Sequence, residues 1–319
     1  MNIDNPKIWS LTDGSQGMIS QTKGLANELS KNIKEIKTEI AFPWNRLQPG
    51  ILPIFSWIFK TRLPKDEVPD VVISCGRKSV YLSIYLKKKY PKLINIHIQN
   101  PKISSKKFSF IIAPNHDNYF GKNIINSTGA IHHFKSSNYL ENKFDINTKN
   151  LITCIIGGSN NHYNFSKKNT LDLCKKITKL KKQNSSYEIL IVTSRRTTKE
   201  IKHIIKKELT SISTLWFGEG ENPYEFSLYN SKFFIITSDS TSMISEASIS
   251  GKPIYVYQLP MKRKSKRFIN FHEEFKKMNI TRDFNSLDKL ENWTYAKLEE
   301  SKRIAGIIKK RIIERNNES

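Results

Sequence analysis

Residues Phe234 to Pro260 read FIITSDSTSMISEASISGKPIYVYQLP, and this stretch decides the fold class. An apolar run from Phe233 to Ile236 ends in a small polar loop, Thr237 to Ser242, which leads into a helix carrying Glu246. A Gly251-Lys252-Pro253 break follows, then a second apolar run, Ile254 to Tyr257. Strand, polar loop, short helix, strand is the signature of an open α/β sheet. Such sheets bind nucleotides at the carboxyl ends of their strands, where backbone N–H groups point outward. Ser238, Ser240, Thr241, Ser242 and Met243 belong to that loop and first turn. Glu246 lies five residues before Gly251 and seven before Pro253. It either holds a ligand or only supports the helix of an ordinary βαβ unit.

Working outward, the same alternation recurs on both sides. Strands are expected at Lys7–Leu11, Val71–Ser74, Leu93–Gln99 and Phe108–Ala113, with helices at Gln21–Leu29 and from Ser79 through Leu86. The polar stretch Tyr139–Asn150 reads as a linker. Beyond it come strands at Leu151–Ile156, Glu188–Thr193 and Thr214–Phe217, and helices at Lys168–Lys181 and Lys199–Lys207. Strands alternating with helices predict parallel sheets. Two such series predict two Rossmann-like domains facing across a cleft, residues 1–146 and 147–290. A final segment, 291–319, has apolar residues at Leu298, Ile304, Ile307, Ile308 and Ile312 and can cross back onto the first domain.

Composition narrows the function. The chain has 319 residues, enough for two domains, with 38% hydrophobic and 11% aromatic residues. Three separated cysteines, Cys75, Cys154 and Cys174, supply neither a disulfide framework nor a zinc motif, so a reducing compartment is expected. The opening MNIDNPKIWSLTDG lacks a signal-peptide pattern, and no apolar run reaches the roughly 18–20 residues that span a bilayer. The expected location is cytoplasmic, with peripheral contact at the inner face of a membrane as a further option. The net charge of +24 is dispersed over several elements, and no nucleic-acid module is present. Attraction to anionic lipid headgroups is the stronger expectation. Gly50–Phe59, GILPIFSWIF, followed by Lys60 and Arg62, either rests in a lipid interface or is buried between domains.

Chemistry-bearing residues cluster after the strands. Gly157, Gly158 and Ser159 permit close approach of backbone to a phosphate, or simply form a tight turn. Arg195 and Arg196 can pair with a diphosphate or be solvated. Gly218–Tyr224, including Glu221, Asn222 and Pro223, is a third loop of the same sheet. In the first domain, Asp13 in Thr12–Gly17 is either a general base or a helix cap, beside Gly14 and Gly17. Arg77 with Lys78 stands at a helix N-terminus and suits an anionic acceptor. His116 and Asp117 follow another strand and offer an acid/base pair or a structural one. Asp-x-Asp, Gly-x-Ser-x-Gly and Gly-x-Gly-x-x-Gly are all absent, which argues against GT-A metal sites, serine hydrolases and nicotinamide enzymes.

Taken in order, several blocks resemble the mitochondrial-fission Elm family and its bacterial relatives. They are WSLTDGSQGMISQTKGLANEL (from Trp9), PDVVISCGRKS (from Pro69), FIIAPNHD (from Phe110), IIGGSNNHYNF (from Ile155), VTSRRT (from Val192), WFGEGENPY (from Trp216), the Thr237–Tyr257 segment and RFINFH ending at His272. The resemblance implies a GT-B-like fold, similar to the transferase that adds N-acetylglucosamine during peptidoglycan synthesis. It implies a nucleotide-sugar substrate, a UDP-sugar first, with no required cofactor and no metal. Glu246 would hold the ribose, and a lipid-linked or saccharide acceptor would lie on the Asp13 side. Relatives often carry a histidine or an acidic residue where this chain has Met18, which leaves the base unassigned. An inactive GT-B-like scaffold at the membrane is therefore the alternative. Plant members act in organelle division through a dynamin-related protein; lacking a transit peptide, and with a composition that suits a bacterium, this chain does not inherit that role.

Overall fold

The computed structural model describes residues 5–47, 50–51, 53–64, 66–136 and 141–317, with side chains of the last helix through 314. The chain divides into two units, Met1–His133 with Glu299–Ser319, and Phe134–Leu298.

Unit 1 is a six-stranded parallel sheet. Its elements are β1 (Ile8–Thr12), α1 (Gln16–Leu29), β2 (Ile33–Lys37), β3 (Val71–Cys75), α2 (Arg77–Lys89), β4 (Ile94–Ile98), β5 (Phe110–Pro114) and β6 (Ile124–Ser127). The strand order β2-β1-β3-β4-β5-β6 reverses between β1 and β3. All five residues of β1, β3 and β5 are buried, as strands covered on both faces require. The C-terminal helix, Glu300–Asn317, belongs to this unit: its Ile304, Ile308 and Ile312 join Leu25, Ala26 and Leu29 of α1 in one core cluster. Leu298 instead packs in unit 2.

Unit 2 contains β7 (Leu151–Ile156), α3 (Lys167–Gln183), β8 (Glu188–Thr193), α4 (Lys199–Leu209), β9 (Thr214–Trp216), α5 (Tyr224–Asn230), β10 (Phe233–Thr237), α6 (Thr241–Ala247), β11 (Ile254–Tyr257), α7 (Lys266–Lys277) and β12 (Thr281–Asp283). Its parallel order, β9-β8-β7-β10-β11-β12, is the doubly wound dinucleotide-binding order, with the reversal between β7 and β10. Alternate residues serve opposite faces. Ile152, Cys154, Phe233 and Ile235 enter one core cluster, while Ile155, Phe234 and Ile236 enter another. The three cysteines are free and buried, and burial raises each thiol above its ordinary range.

Two expectations differ from the structure, and two others fall partly outside the described residues. The unit boundary falls at His133 rather than after 146, because Phe134 packs on Tyr224, Phe144 on Phe226, and Ile146 joins Leu151, Leu190 and Val192. Residues 137–140 of the expected linker, and Leu52 of the apolar run, lie outside the described residues. Helix α1 starts at Gln16, five residues earlier than expected, because Ser15 in extended conformation caps it and its carbonyl accepts from the Met18 and Ile19 N–H groups. Gly17 is consequently a first-turn residue rather than a loop glycine.

Candidate functional site

The switch point of unit 2 gathers the loops that follow β7, β8 and β10. Its centre is Asp239, only 3% exposed. One carboxylate oxygen, Oδ2, accepts from the Gly158 N–H at 3.0 Å and from Arg196 Nη2 at 2.6 Å. The other, Oδ1, accepts from Thr237 Oγ1 at 2.7 Å, and that hydroxyl in turn accepts from the Gly157 N–H at 2.8 Å. Asn160 Nδ2 donates to the Asp239 carbonyl at 3.1 Å. Both side-chain oxygens of this buried group are therefore hydrogen-bonded, by three donors in all, which offsets the cost of burying them.

This network changes the role of the glycines. A Cβ on Gly157 would stand 2.2 Å from both Asp239 carboxylate oxygens, and one on Gly158 would stand 2.2 Å from the Arg196 carbonyl oxygen. Both N–H groups already serve the protein, so the pair admits the Asp239 carboxylate rather than offering N–H groups to a phosphate. Ser159 is engaged in the same way: its Oγ accepts from the Phe165 N–H at 2.8 Å. Arg196 is half-exposed and tied to Asp239, whereas exposed Arg195 has no partner among the described residues.

Helix α6 and the loop before it present further hydroxyls and one carboxylate. Ser240 caps it, accepting from the Met243 N–H at 3.5 Å. Ser238 is fully buried; its Oγ accepts from the Leu259 N–H at 2.9 Å, and its carbonyl lies 3.0 Å from His272 Nε2. Thr241, Ser242 and Met243 are partly exposed. Glu246, also partly exposed, accepts at Oε2 from the Tyr224 hydroxyl. Burial raises its carboxyl to about 7, partly offset by that hydrogen bond, while the same neighbourhood drives the Tyr224 phenol well above its usual value. Tyr224 begins α5, directly after Glu221, Asn222 and Pro223, and Asn222 Oδ1 accepts from its N–H at 3.0 Å. The third loop is thus fastened to Glu246 by its own tyrosine.

In unit 1 the loop after β1 is locally closed. Asp13 Oδ1 accepts from the Ser15 N–H at 3.0 Å, and Gly14 takes φ +88°. Asp13 Oδ2 has no partner among the described residues. Met18 packs against Gly76 at the β1/β3 reversal: a Cβ there would meet its sulfur at 2.2 Å. Arg77 donates to the Asn45 and Leu47 carbonyls at 3.3 Å each. His116 is buried after β5, with Nε2 3.8 Å from Asp117 Oδ1. Sequence reasoning singled out all of these but missed Asp239, His272, Asn160 and the Tyr224 hydroxyl. All four lie inside stretches quoted above, Asp239 between a strand end and a Ser N-cap and His272 at the end of RFINFH, but none of them is assigned a role there.

Comparison with known proteins identifies the family and the fold. The profile described as Mitochondrial fission ELM1 matches residues 16–312. An uncharacterized protein, RP120, of Rickettsia prowazekii (strain Madrid E) is 30% identical, covering 95% of this chain and 97% of its own. Mitochondrial fission protein ELM1 of Arabidopsis thaliana is 24% identical over 79% of this chain and 66% of its own length. Among solved structures, a candidate UDP-N-acetylglucosamine 2-epimerase from Listeria monocytogenes superposes with TM-score 0.58 at 12% identity, covering 99% of this chain and 98% of its own. The glycosyltransferase of kitacinnamycin gives 0.55 at 12% identity, with 97% and 93% covered. S. aureus MnaA, solved with UDP, gives 0.50 at 14% identity, with 96% and 97% covered. These likenesses establish a GT-B-type fold.

Proposed function

Because the chain belongs to the mitochondrial fission ELM1 family, we propose that it is a metal-independent glycosyltransferase that moves a sugar from a UDP-sugar to a lipid-linked or saccharide acceptor of the cell envelope. The observation that carries this reading is the Glu246–Tyr224 pair beside the sheet reversal, a half-buried carboxylate with one oxygen hydrogen-bonded and the other without a partner among the described residues. In this reading the second oxygen accepts from the ribose hydroxyls, and the Glu221–Pro223 loop borders the base. Thr241, Ser242 and Arg195 face the diphosphate. Those donors, with the remaining N–H groups of Arg196, offset the charge that develops as the diphosphate leaves. The UDP bound by the MnaA neighbour supports uridine as the base.

In the transfer the acceptor oxygen bonds to the anomeric carbon, the bond from that carbon to the phosphate oxygen breaks with its electron pair going to UDP, and the hydroxyl proton passes to a base. Asp13 is the candidate for that proton, with Gly14, Gly17, Arg77, His116 and Asp117 around the acceptor. A non-catalytic scaffold is the second reading, favoured by Met18, whose thioether cannot act as a base. Titration with UDP-, GDP- and CMP-sugars, followed by assay of sugar transfer to extracted envelope lipids, separates the two. UDP-sugar binding with transfer supports the transferase, and binding without transfer supports the scaffold. No binding to any of the three removes the transferase reading.

Two further outcomes are expected. A ribose hydroxyl hydrogen-bonds best to ionised Glu246, whose folded-state carboxyl sits at about 7. UDP-sugar affinity therefore rises between about pH 6 and 8 and flattens above. The sign for stability is opposite: with the folded value raised above the ordinary 4.5, Glu246 costs stability as pH climbs from there through 7. Calorimetric titration with a UDP-sugar, whose diphosphate has no ionisation in that range, checks the first statement, and Glu246→Gln should abolish the pH dependence.

The acceptor side supplies the second. Phe42 (65% exposed), Ile51 (67%), Phe55 (54%) and Trp57 (58%) stand out from the surface within 16 residues, and Phe55 stacks on Trp57. Arg46 lies over the Phe42 ring, and Lys60 and Arg62 follow. Aromatic side chains beside cations suit an anionic bilayer interface. Among the described residues no helix is long and apolar enough to cross a membrane. Trp57→Ser is expected to weaken binding to phosphatidylglycerol vesicles by about tenfold. Co-sedimentation unaffected by the substitution would assign this patch elsewhere.

A further inference from the structure

At the carboxyl ends of β3 and β4, within unit 1, lies a cavity of about 230 Å³ whose walls include Gly76, Arg77, His97, Gln99, Asn100 and Lys102. The donor reading makes no use of it. Its innermost polar group is His97, 1% exposed. His97 Nδ1 is 2.9 Å from Ser74 Oγ, and the same hydroxyl lies 3.1 Å from the Ile96 carbonyl oxygen. A carbonyl only accepts, and a serine hydroxyl has one hydrogen. Ser74 therefore donates to Ile96 and accepts from Nδ1–H of His97. The tautomer is fixed by this chain of two bonds: Nε2 is left with a lone pair and has no partner among the described residues. Burial lowers the imidazole pKa to about 3, so it stays a neutral acceptor at physiological pH.

The mouth of the cavity has the opposite character. Helix α2 starts there behind Gly76, without a side-chain cap and without an acidic residue in its first turn, so its leading N–H groups face outward. Arg77 is braced on two backbone carbonyls, and the exposed Lys102, whose backbone N–H donates to Asn100 Oδ1 at 2.9 Å, has an ammonium with no partner among the described residues. One wall calls for an anion and the floor calls for a hydrogen-bond donor. The volume suits a group about the size of one sugar ring or less, well below a nucleotide.

We propose that this cavity binds a hydroxylated phosphate, a sugar or polyol monophosphate, with the phosphate against Arg77, Lys102 and the α2 N-terminus and a hydroxyl donating to His97 Nε2. The ligand is either free in solution or the headgroup of a lipid. The inference concerns unit 1 alone and does not rest on the donor reading, so it is tested without any nucleotide.

The experiment follows the His97 side-chain nitrogens by NMR in the full chain labelled with ¹⁵N-histidine. The free protein should show the Nδ1–H tautomer, still neutral at pH 5. Glucose 1-phosphate should shift the Nε2 signal saturably. Glucose and inorganic phosphate, each offering half the ligand, should bind about tenfold more weakly. Lys102→Asn removes the cation yet keeps a residue that tolerates the φ of +59° found there, and it should weaken glucose 1-phosphate about five- to tenfold. Phosphatidylglycerol bicelles form the second arm: a His97 shift with bicelles but not with glucose 1-phosphate assigns the headgroup source, and the converse assigns the free one. An Nε2–H tautomer, a His97 signal unmoved by every probe in folded protein, or equal affinity for inorganic phosphate and glucose 1-phosphate overturns the proposal. So does undiminished binding in Lys102→Asn.

Discussion

Asp239→Ala is expected to lower the unfolding free energy of unit 2 by about 3 kcal/mol, an effect large enough to threaten the fold. The substitution takes the acceptor from the buried Gly158 N–H and from Thr237 Oγ1, each costing about 1–3 kcal/mol when left unsatisfied. Arg196 is half-exposed and returns its charge to water, so the lost ion pair adds less than a fully buried one would. Asp239→Asn keeps the shape but gives up the charge and offers an amide N–H₂ toward donors, and should cost about half as much. Urea denaturation followed by tryptophan fluorescence reads the difference as a midpoint shift of about 1.5 M for Asp239→Ala. A shift below about 0.3 M would mean that the switch-point network is incidental to the fold of unit 2.

Gly24→Ala provides the second large effect, and its sign runs against intrinsic propensity. In an exposed helix, replacing glycine by alanine stabilises by roughly 1 kcal/mol. Gly24 is buried in α1, and a Cβ there would stand 2.2 Å from the carbonyl oxygen of His132 and 2.9 Å from Ser301 Oγ. Ser301 donates to that same carbonyl at 2.7 Å, so one backbone oxygen joins α1 to the C-terminal helix. The two nearest atoms are backbone, and no side-chain rotation clears them. It must separate α1 from the 131–133 segment and disturb the cluster formed by Leu25, Ala26, Leu29, Ile304 and Ile308. Overpacking of this kind costs about 2–3 kcal/mol net. Amide exchange should show the C-terminal helix losing protection in Gly24→Ala; unchanged protection would contradict the packing described for unit 1.

The sequence made the doubly buried strands easy to read. β3, β7, β8, β10 and β11 are continuous apolar runs because helices cover both of their faces. Edge strands were harder. β2, Ile33–Lys37, buries only Ile36, and its IKEIK pattern resembles a solvated segment. β12 has three residues and one buried side chain, and it was not anticipated. The start of α1 was placed late because Gln16-Gly17 looks like a turn until Ser15 is seen to cap the helix. Phe144 and Ile146 were too sparse to reveal that the polar stretch around them packs on unit 2.

The candidate site was legible by loop rather than by atom. Glycine, hydroxyl and arginine after three strands could be placed together at one end of the unit 2 sheet, because strand direction in a parallel sheet fixes which ends share a side. What each group bonds to was not legible. Gly157 and Gly158 look like a phosphate cradle, yet their N–H groups donate to the Thr237 hydroxyl and the Asp239 carboxylate, about 80 positions away. Likewise Tyr224, 22 residues from Glu246, is its partner only once α5 and α6 have packed beside β10.

The most direct test is a crystal structure of the chain soaked with UDP, compared with one soaked under the same conditions for Glu246→Ala. A ribose hydroxyl within about 3 Å of a Glu246 carboxylate oxygen, with the diphosphate beside Arg195 and the α6 hydroxyls, and no bound nucleotide in the variant, is the predicted result. UDP bound with its ribose away from Glu246, or bound equally in both proteins, would contradict the assignment of unit 2 as the nucleotide-sugar site.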